Sequence, residues 1–258
     1  MVAGAGDALA AGRKAEVAKA QVFSGRVVRV LDGDTIILDG DRRVRLLDIN
    51  TPELAHDGAA AQAGGQVAAD ALRQLVLGHT VTVQSGPQKK DKYDRLLGHV
   101  YLENGGWVNG TLVRDGYAHV YTFAENAVYG RELLAYEAQA RAAKRGIWRL
   151  APWATRQADG CCAKADIGTF RLVEGTVKAA AHVRAASGGR MYLNFGDDWR
   201  TDYSVFVADK DAKWFKKAGI PNIGEFYRGK RVRVRGYLQP VNGVLVRVTH
   251  PTQIEVSN

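Results

Sequence analysis

Three short segments supply the residue types that phosphodiester hydrolysis requires. Asp32-Gly33-Asp34-Thr35 sets carboxylates at a tight turn, Arg45-Leu46-Leu47-Asp48-Ile49-Asn50-Thr51-Pro52-Glu53 follows, and Lys92-Tyr93-Asp94-Arg95 adds a second guanidinium. Asp34 and Asn50 offer the hard oxygen donors that suit a divalent cation such as Ca²⁺. A carboxylate beside such a cation, here Glu53 stiffened by Pro52, can hold and orient a water. Arg45 and Arg95 present planar forks able to neutralise the charge that phosphorus gathers as it is attacked. Taken singly, each piece has a blander meaning: a hairpin turn, an exposed loop acid, surface ion pairs. Their combination points to a nuclease.

The surrounding pattern says how these residues would be held. Residues 22–38 and 43–48 are rich in Val, Ile and Leu and are broken at Asp32-Gly33 and Asp39-Gly40-Asp41, which predicts three consecutive strands. If the second and third pair as a hairpin, Asp34 and Asn50 reach the same rim. Val44 and Leu46 flank Arg45, so its side chain faces away from theirs. A helix is expected over residues 66–77 with Val67, Ala71, Leu72, Leu75 and Val76 at helical spacing, ended by Gly78. Strands around Val81 and Val83 and over 97–102, a charged turn over 88–96, and helices over 108–115 and 131–144 follow. Five strands with a helix after the third predict a mainly β fold, an OB-type five-stranded barrel with capping helices, over residues 21–151.

These motifs, together with Gly146-Ile147-Trp148 after the last helix, resemble the staphylococcal nuclease (thermonuclease) family over roughly residues 24–150. The resemblance implies an OB barrel, calcium bound at Asp34, Asn50 and the Thr51 carbonyl, Glu53 as base or water-orienting group, and Arg45 and Arg95 on the phosphate. It implies that Lys92, Tyr93 and Tyr121 contact a terminal phosphate or pack on a base, and that products carry a 3′-phosphate. Two departures stand out. Asn50 occupies a position usually held by Asp, which removes one negative charge and raises the expected calcium requirement. The segment around Tyr121-Thr122-Phe123 also differs in length from the family pattern.

Beyond residue 151 the pattern changes. Residues 152–168 lack periodicity and read as a linker containing adjacent Cys161 and Cys162, expected as two free thiols. Over residues 169–258, strands at 170–178, 190–195, 203–207, 231–238 and 244–248 and a helix at 209–218 predict a second, smaller OB-like barrel. The net charge of +9 is concentrated there: 15 Lys/Arg against 8 Asp/Glu, compared with 21 against 19 over residues 1–168. Arg231, Arg233 and Arg235 alternate on one strand face, with Tyr192, Trp199 and Tyr237 in the same stretch, as in a cationic groove that stacks single strands. A soluble barrel face is the competing reading. The six histidines show no ligand spacing, and His99 is expected to be packed or exposed rather than catalytic.

The leading reading is a calcium-dependent nuclease acting on DNA and RNA, single-stranded or unstructured, as a monomer, with the second barrel strengthening the hold on substrate. A noncatalytic tandem-OB nucleic-acid-binding protein is the alternative, and a peripheral membrane or cell-wall protein bound through its basic barrel is a third. No segment has the length of apolar residues a membrane helix needs. Residues 1–20 read as a flexible Ala/Gly-rich tail without a secretory apolar block. Because family members are commonly exported, an extracytoplasmic location, periplasmic or secreted, is expected with a leader ahead of the given sequence.

Overall fold

The first chain segments pair where the turn residues allow. In the computed structural model, residues 21–56, 58–184 and 188–257 are described; the tail expected over 1–20 lies outside them. Strand β1 (Val22–Val30) pairs antiparallel with β2 (Thr35–Leu38), and β2 with β3 (Arg42–Leu46), in the register Thr35↔Arg45. A short β4 (Ile49–Asn50) follows. Helix α1 (Gly65–Val76) then leads to β5 (Thr80–Lys90) and β6 (Leu96–Leu102). Parallel pairing of β3 with β6 and antiparallel pairing of β1 with β5 close the barrel in the order β1-β2-β3-β6-β5. The expected five-stranded OB-type barrel is therefore observed. Strand β5 runs into the stretch expected as a charged turn.

Helix α2 (Val108–Arg114), β7 (His119–Val120) and α3 (Gly130–Ala142) complete this unit. The core joins Ile36, Leu38, Val44 and Leu46 to Val81, Val83 and Val100, with Leu72, Leu112 and Leu133 from the helices. On α1 the buried stripe is Ala68, Ala69, Leu72 and Val76, and Val67 is exposed, contrary to expectation. The alanines let the helix axis approach the barrel closely, and a larger side chain at Ala68 or Ala69 would hold it off.

The chain divides into two compact units between Pro152 and Trp153. The stretch expected as a linker is folded within the second unit. Its β8 (Arg156–Gln157) pairs parallel with β9 (Phe170–Thr176), and Ala158 joins the second core. Buried Asp166 binds Arg156 at 3.0 Å and Arg171 at 2.6 Å. Cys161 and Cys162 pack against this core with their sulfurs side by side.

After β9 come β10 (Ala179–Val183), β11 (Arg190–Asn194) and β12 (Tyr203–Ala208), then helices α4 (Ala212–Lys217) and α5 (Ile223–Tyr227). Strands β13 (Arg231–Gln239), β14 (Val244–Val248) and β15 (Ile254–Val256) end the unit. The sheet runs β10-β11-β12-β14-β13-β9-β8, with β12 and β14 parallel. Since β9 and β10 are consecutive halves of one strand, this is the strand order of the first barrel repeated. No helix of the described residues is long and apolar enough to cross a membrane.

The two arginines hold the Asp166 carboxyl well below its ordinary value of 3.8, at about 2, with Arg156 hydrogen bonding the larger cause and burial opposing it. A depressed carboxylate stabilises the fold above its unfolded pKa, and the contribution vanishes as pH falls through the folded one. Asp166→Asn is expected to cost about 2 kcal/mol at neutral pH. In denaturant unfolding, the gap between wild type and variant should close between about pH 4 and pH 2.

Candidate active site

The site begins with the pleat of β3. Val44 and Leu46 point into the core, which leaves Arg45 on the other face, with its side chain 12% exposed. Its Nε lies 3.0 Å from Asp34 Oδ1, its Nη2 donates to Asn50 Oδ1 at 2.7 Å, and its Nη1 donates to the carbonyls of Leu46 (2.6 Å) and Ile49 (3.1 Å). One guanidinium thus ties the turn before β2 to β4.

Asp34 is buried and held from several sides. Its own N–H donates to Asp32 Oδ1 at 2.9 Å, and the Thr51 N–H and hydroxyl donate to its Oδ2 at 3.0 and 3.2 Å. This needs Gly33, because a Cβ there would meet the Thr51 side chain at 2.6–2.8 Å. The Asn50 amide nitrogen donates to the Thr51 carbonyl at 3.1 Å. Asp34, Asn50 and Thr51, the three expected cation ligands, therefore form one connected cluster. Burial and the neighbouring charge of Asp34 push the Asp32 carboxyl up to about 6.

These groups test whether a cation suits the site. All the donors are oxygen, and two carboxylates stand close enough for one to hinder ionisation of the other, a conflict that a divalent ion relieves. The donor chemistry fits a hard cation. Among the described residues, no group of three His, Cys, Asp or Glu side chains converges as a ready ligand set. Any ion would thus lean on the Asn50 amide and the Thr51 carbonyl.

Glu53 lies at the centre of the electrostatics. Its carboxyl is raised by burial and then by Asp34, while Arg45, His56 and Arg95 pull the other way. The loop is fixed by a two-way exchange with Gln62: Glu53 N–H donates to the Gln62 side chain at 3.2 Å, and Gln62 N–H donates to the Glu53 carbonyl at 2.9 Å.

Arg95 arrives on the other side of the barrel closure, through β6. Asp91 accepts from its Nε at 2.7 Å and its backbone N–H at 3.0 Å, and from Tyr93 N–H at 2.9 Å. Burial works against ionisation of Asp91, yet these hydrogen bonds leave its carboxyl below the ordinary range. Tyr93 is 66% exposed, with Lys92 Nζ 4.8 Å and the Arg95 guanidinium 5.5 Å from its ring centroid. A depression of about 340 Å³ opens here, lined by Arg42, Arg43, Lys90, Tyr93 and Arg95 among others. Tyr121 is part-buried with Phe123 packed edge-on at 5.2 Å, and its N–H donates to the Asp48 carbonyl at 3.0 Å. Burial raises its phenol, with Arg45 opposing.

Sequence reasoning missed the supports. Besides Asp91, buried Glu137 on α3 accepts from Val120 N–H at 2.7 Å, and β7 in turn pairs Asn50↔His119. Asn109 reaches across 62 residues to donate to the Leu47 carbonyl at 2.9 Å. His99 is buried, as expected, against Trp107 and Tyr129, with Nε2 3.6 Å from Asp48. Spacing carries no signal for such partners; only Asp91, four residues before Arg95, had a local one.

The expected cationic groove of β13 is corrected. Arg231 and Arg233 both bind Glu174, each at 2.8 Å, and Arg235 is 1% exposed and ion-paired with Glu255. Alternation did place the three on one face, but that face spends its guanidiniums on internal carboxylates. Arg235 is thereby closed to phosphate, whereas Arg231 shares Glu174 with Arg233 and keeps 50% of its side chain exposed.

The family model for staphylococcal nuclease homologues matches residues 43–150, inside the first unit. An uncharacterized endonuclease of Escherichia coli O157:H7 is 41% identical over 139 residues, covering 51% of this chain and 84% of that protein. The chain belongs to the staphylococcal nuclease family. The thermonuclease of Staphylococcus hyicus is 30% identical over 139 residues (53% of this chain, 82% of that protein). The micrococcal nuclease of Shigella flexneri is 35% identical over 155 residues (53% and 82%).

Replacing Asp91 by Ala is expected to free Arg95 without disturbing the core. Turnover on nucleic acid should fall by about tenfold to a hundredfold, the scale of a mispositioned group, while thermal unfolding moves little. Steady-state kinetics beside a melting curve will separate the two.

Proposed function

We propose that this staphylococcal nuclease family member is a calcium-dependent nuclease that hydrolyses the phosphodiester bonds of DNA and RNA. Relatives named nuclease, endonuclease and thermonuclease support nuclease activity on nucleic acids. The observation that carries the finer reading is the connected cluster of Asp34, Asn50 and Thr51 around the Arg45 guanidinium, two residues ahead of Glu53 in the chain.

Glu53 is the base. A carboxyl raised by burial and by a neighbouring carboxylate holds a proton more firmly than a free one, which favours taking it from an attacking water. Arg45 and Arg95 stabilise the phosphorane-like state. Arg95 is anchored through Nε to Asp91, which leaves its terminal fork for phosphate oxygens. Arg45 is held by Asp34, Asn50 and two carbonyls, which leaves one Nη2 proton for a phosphate oxygen until some of those bonds are released. Tyr93, Lys92 and Tyr121 supply base-facing rings and a phosphate contact that tolerate any sequence.

Asp34, the Asn50 amide oxygen and the Thr51 carbonyl would hold the cation, whose chemistry is Lewis-acid polarisation of the phosphoryl group. With an amide in place of a second carboxylate, half-saturating calcium should be higher than for a site with Asp at that position.

The test is digestion of supercoiled plasmid and of RNA with calcium or with a chelator. Glu53→Gln and Arg45→Lys should each lower the rate by roughly a hundredfold to a thousandfold. Digestion that survives chelation and both substitutions would sink the mechanism. Binding without any cleavage by the wild type would favour a noncatalytic tandem-barrel protein.

A further inference from the structure

One row of the second unit's sheet faces outward across four strands. Strand registers align Ala181, Tyr192, Phe206 and Arg247. One position along, Leu193, Val205 and Val246 belong to the core, so alternation turns the row away from it. The Tyr192 and Phe206 rings lie 6.0 Å apart with a tilt of 37°. The Arg190 guanidinium is 5.4 Å from the Phe206 centroid, and no carboxylate of the described residues pairs with it. Arg247 contacts Asp211 at 3.1 Å yet keeps 41% of its side chain exposed.

We propose that the outer face of β11 and β12 binds single-stranded nucleic acid, with bases stacking on Tyr192 and Phe206 and phosphates meeting Arg190 and Arg247. Part-exposed aromatic rings on a sheet, with a guanidinium over one of them, attract flat, π-rich groups carried on a polyanion. Residues 169–258 carry 15 Lys/Arg against 8 Asp/Glu, which supplies the complementary field. At the other end of the same hairpin, Asp197 pairs with Lys178 at 3.2 Å and Asp198 lies 3.9 Å from Arg200. Duplexes are disfavoured because their bases are already stacked and cannot reach the rings. The face reads no base edges, in keeping with a nuclease indifferent to sequence, and in this it builds on the reading that nucleic acid is the substrate.

Binding is measured on the full-length protein carrying Glu53→Gln, in chelator, by fluorescence anisotropy of a fluorescein-labelled oligothymidylate. Tyr192→Ala and Phe206→Ala are each expected to weaken binding by about fivefold or more. Arg190→Ala should flatten the salt dependence by about one counterion. Phe206→Leu keeps apolar bulk on the sheet and removes the π face; it should lose affinity at an unchanged melting temperature. Unaltered affinity in a folded Phe206→Leu, Tyr192→Ala double variant overturns the proposal, as does equal affinity for duplex of the same length or displacement of the oligonucleotide by phosphatidylglycerol vesicles. Failure of the hydrolytic reading would show itself separately, as cleavage by the Glu53→Gln protein, and leaves this binding readout intact.

Discussion

The guanidinium of Arg45 is the point on which barrel and site both depend. It sits 12% exposed between the turn before β2 and the short β4, where an unmatched charge would cost several kcal/mol. Its donors instead meet Asp34, Asn50 and the carbonyls of Leu46 and Ile49. The same requirement fixes the register Thr35↔Arg45. A slip of one residue would send Arg45 into the core and Val44 to the rim, so strand pairing and site assembly are one constraint.

Much of the first unit was legible because its signals are local. Asp32-Gly33 and Asp39-Gly40-Asp41 punctuate the three strands, and Asp34, Arg45, Asn50, Thr51 and Glu53 lie within a single meander. Arg95 is brought alongside only by the parallel β3·β6 pairing, which periodicity cannot express; the family likeness supplied it. The same limit explains the misreadings. Helical spacing identified α1 but not which stripe it buries, because close approach through Ala68 and Ala69 outweighed the greater bulk of Val67. The supposed linker folds through a two-residue strand and through Asp166 with its two arginines. Arg235 obeyed the alternation, yet Glu255, twenty residues later, took its charge.

The two units use a shared strand order to opposite electrostatic ends. In the first, acids crowd together: Asp32 and Glu53 are pushed up by burial and by Asp34, leaving negative potential concentrated where arginines already wait. In the second, Asp166 and Glu174 lie below the ordinary range, since their arginines outweigh the cost of burial at Glu174 and the opposing burial at Asp166. Stored tension between like charges suits a place where bonds are broken. Neutralised acids suit a platform.

Strands β9 and β10 are two halves of one extended stretch, the first bonded to β13 and the second to β11. By joining both ends of the run, this stretch denies the sheet the long row of unsatisfied amides that would template another chain, and β8 covers part of what remains. Loosening the chain at Val177 and Lys178 would therefore be felt first in the test tube as self-association, well before any loss of secondary structure.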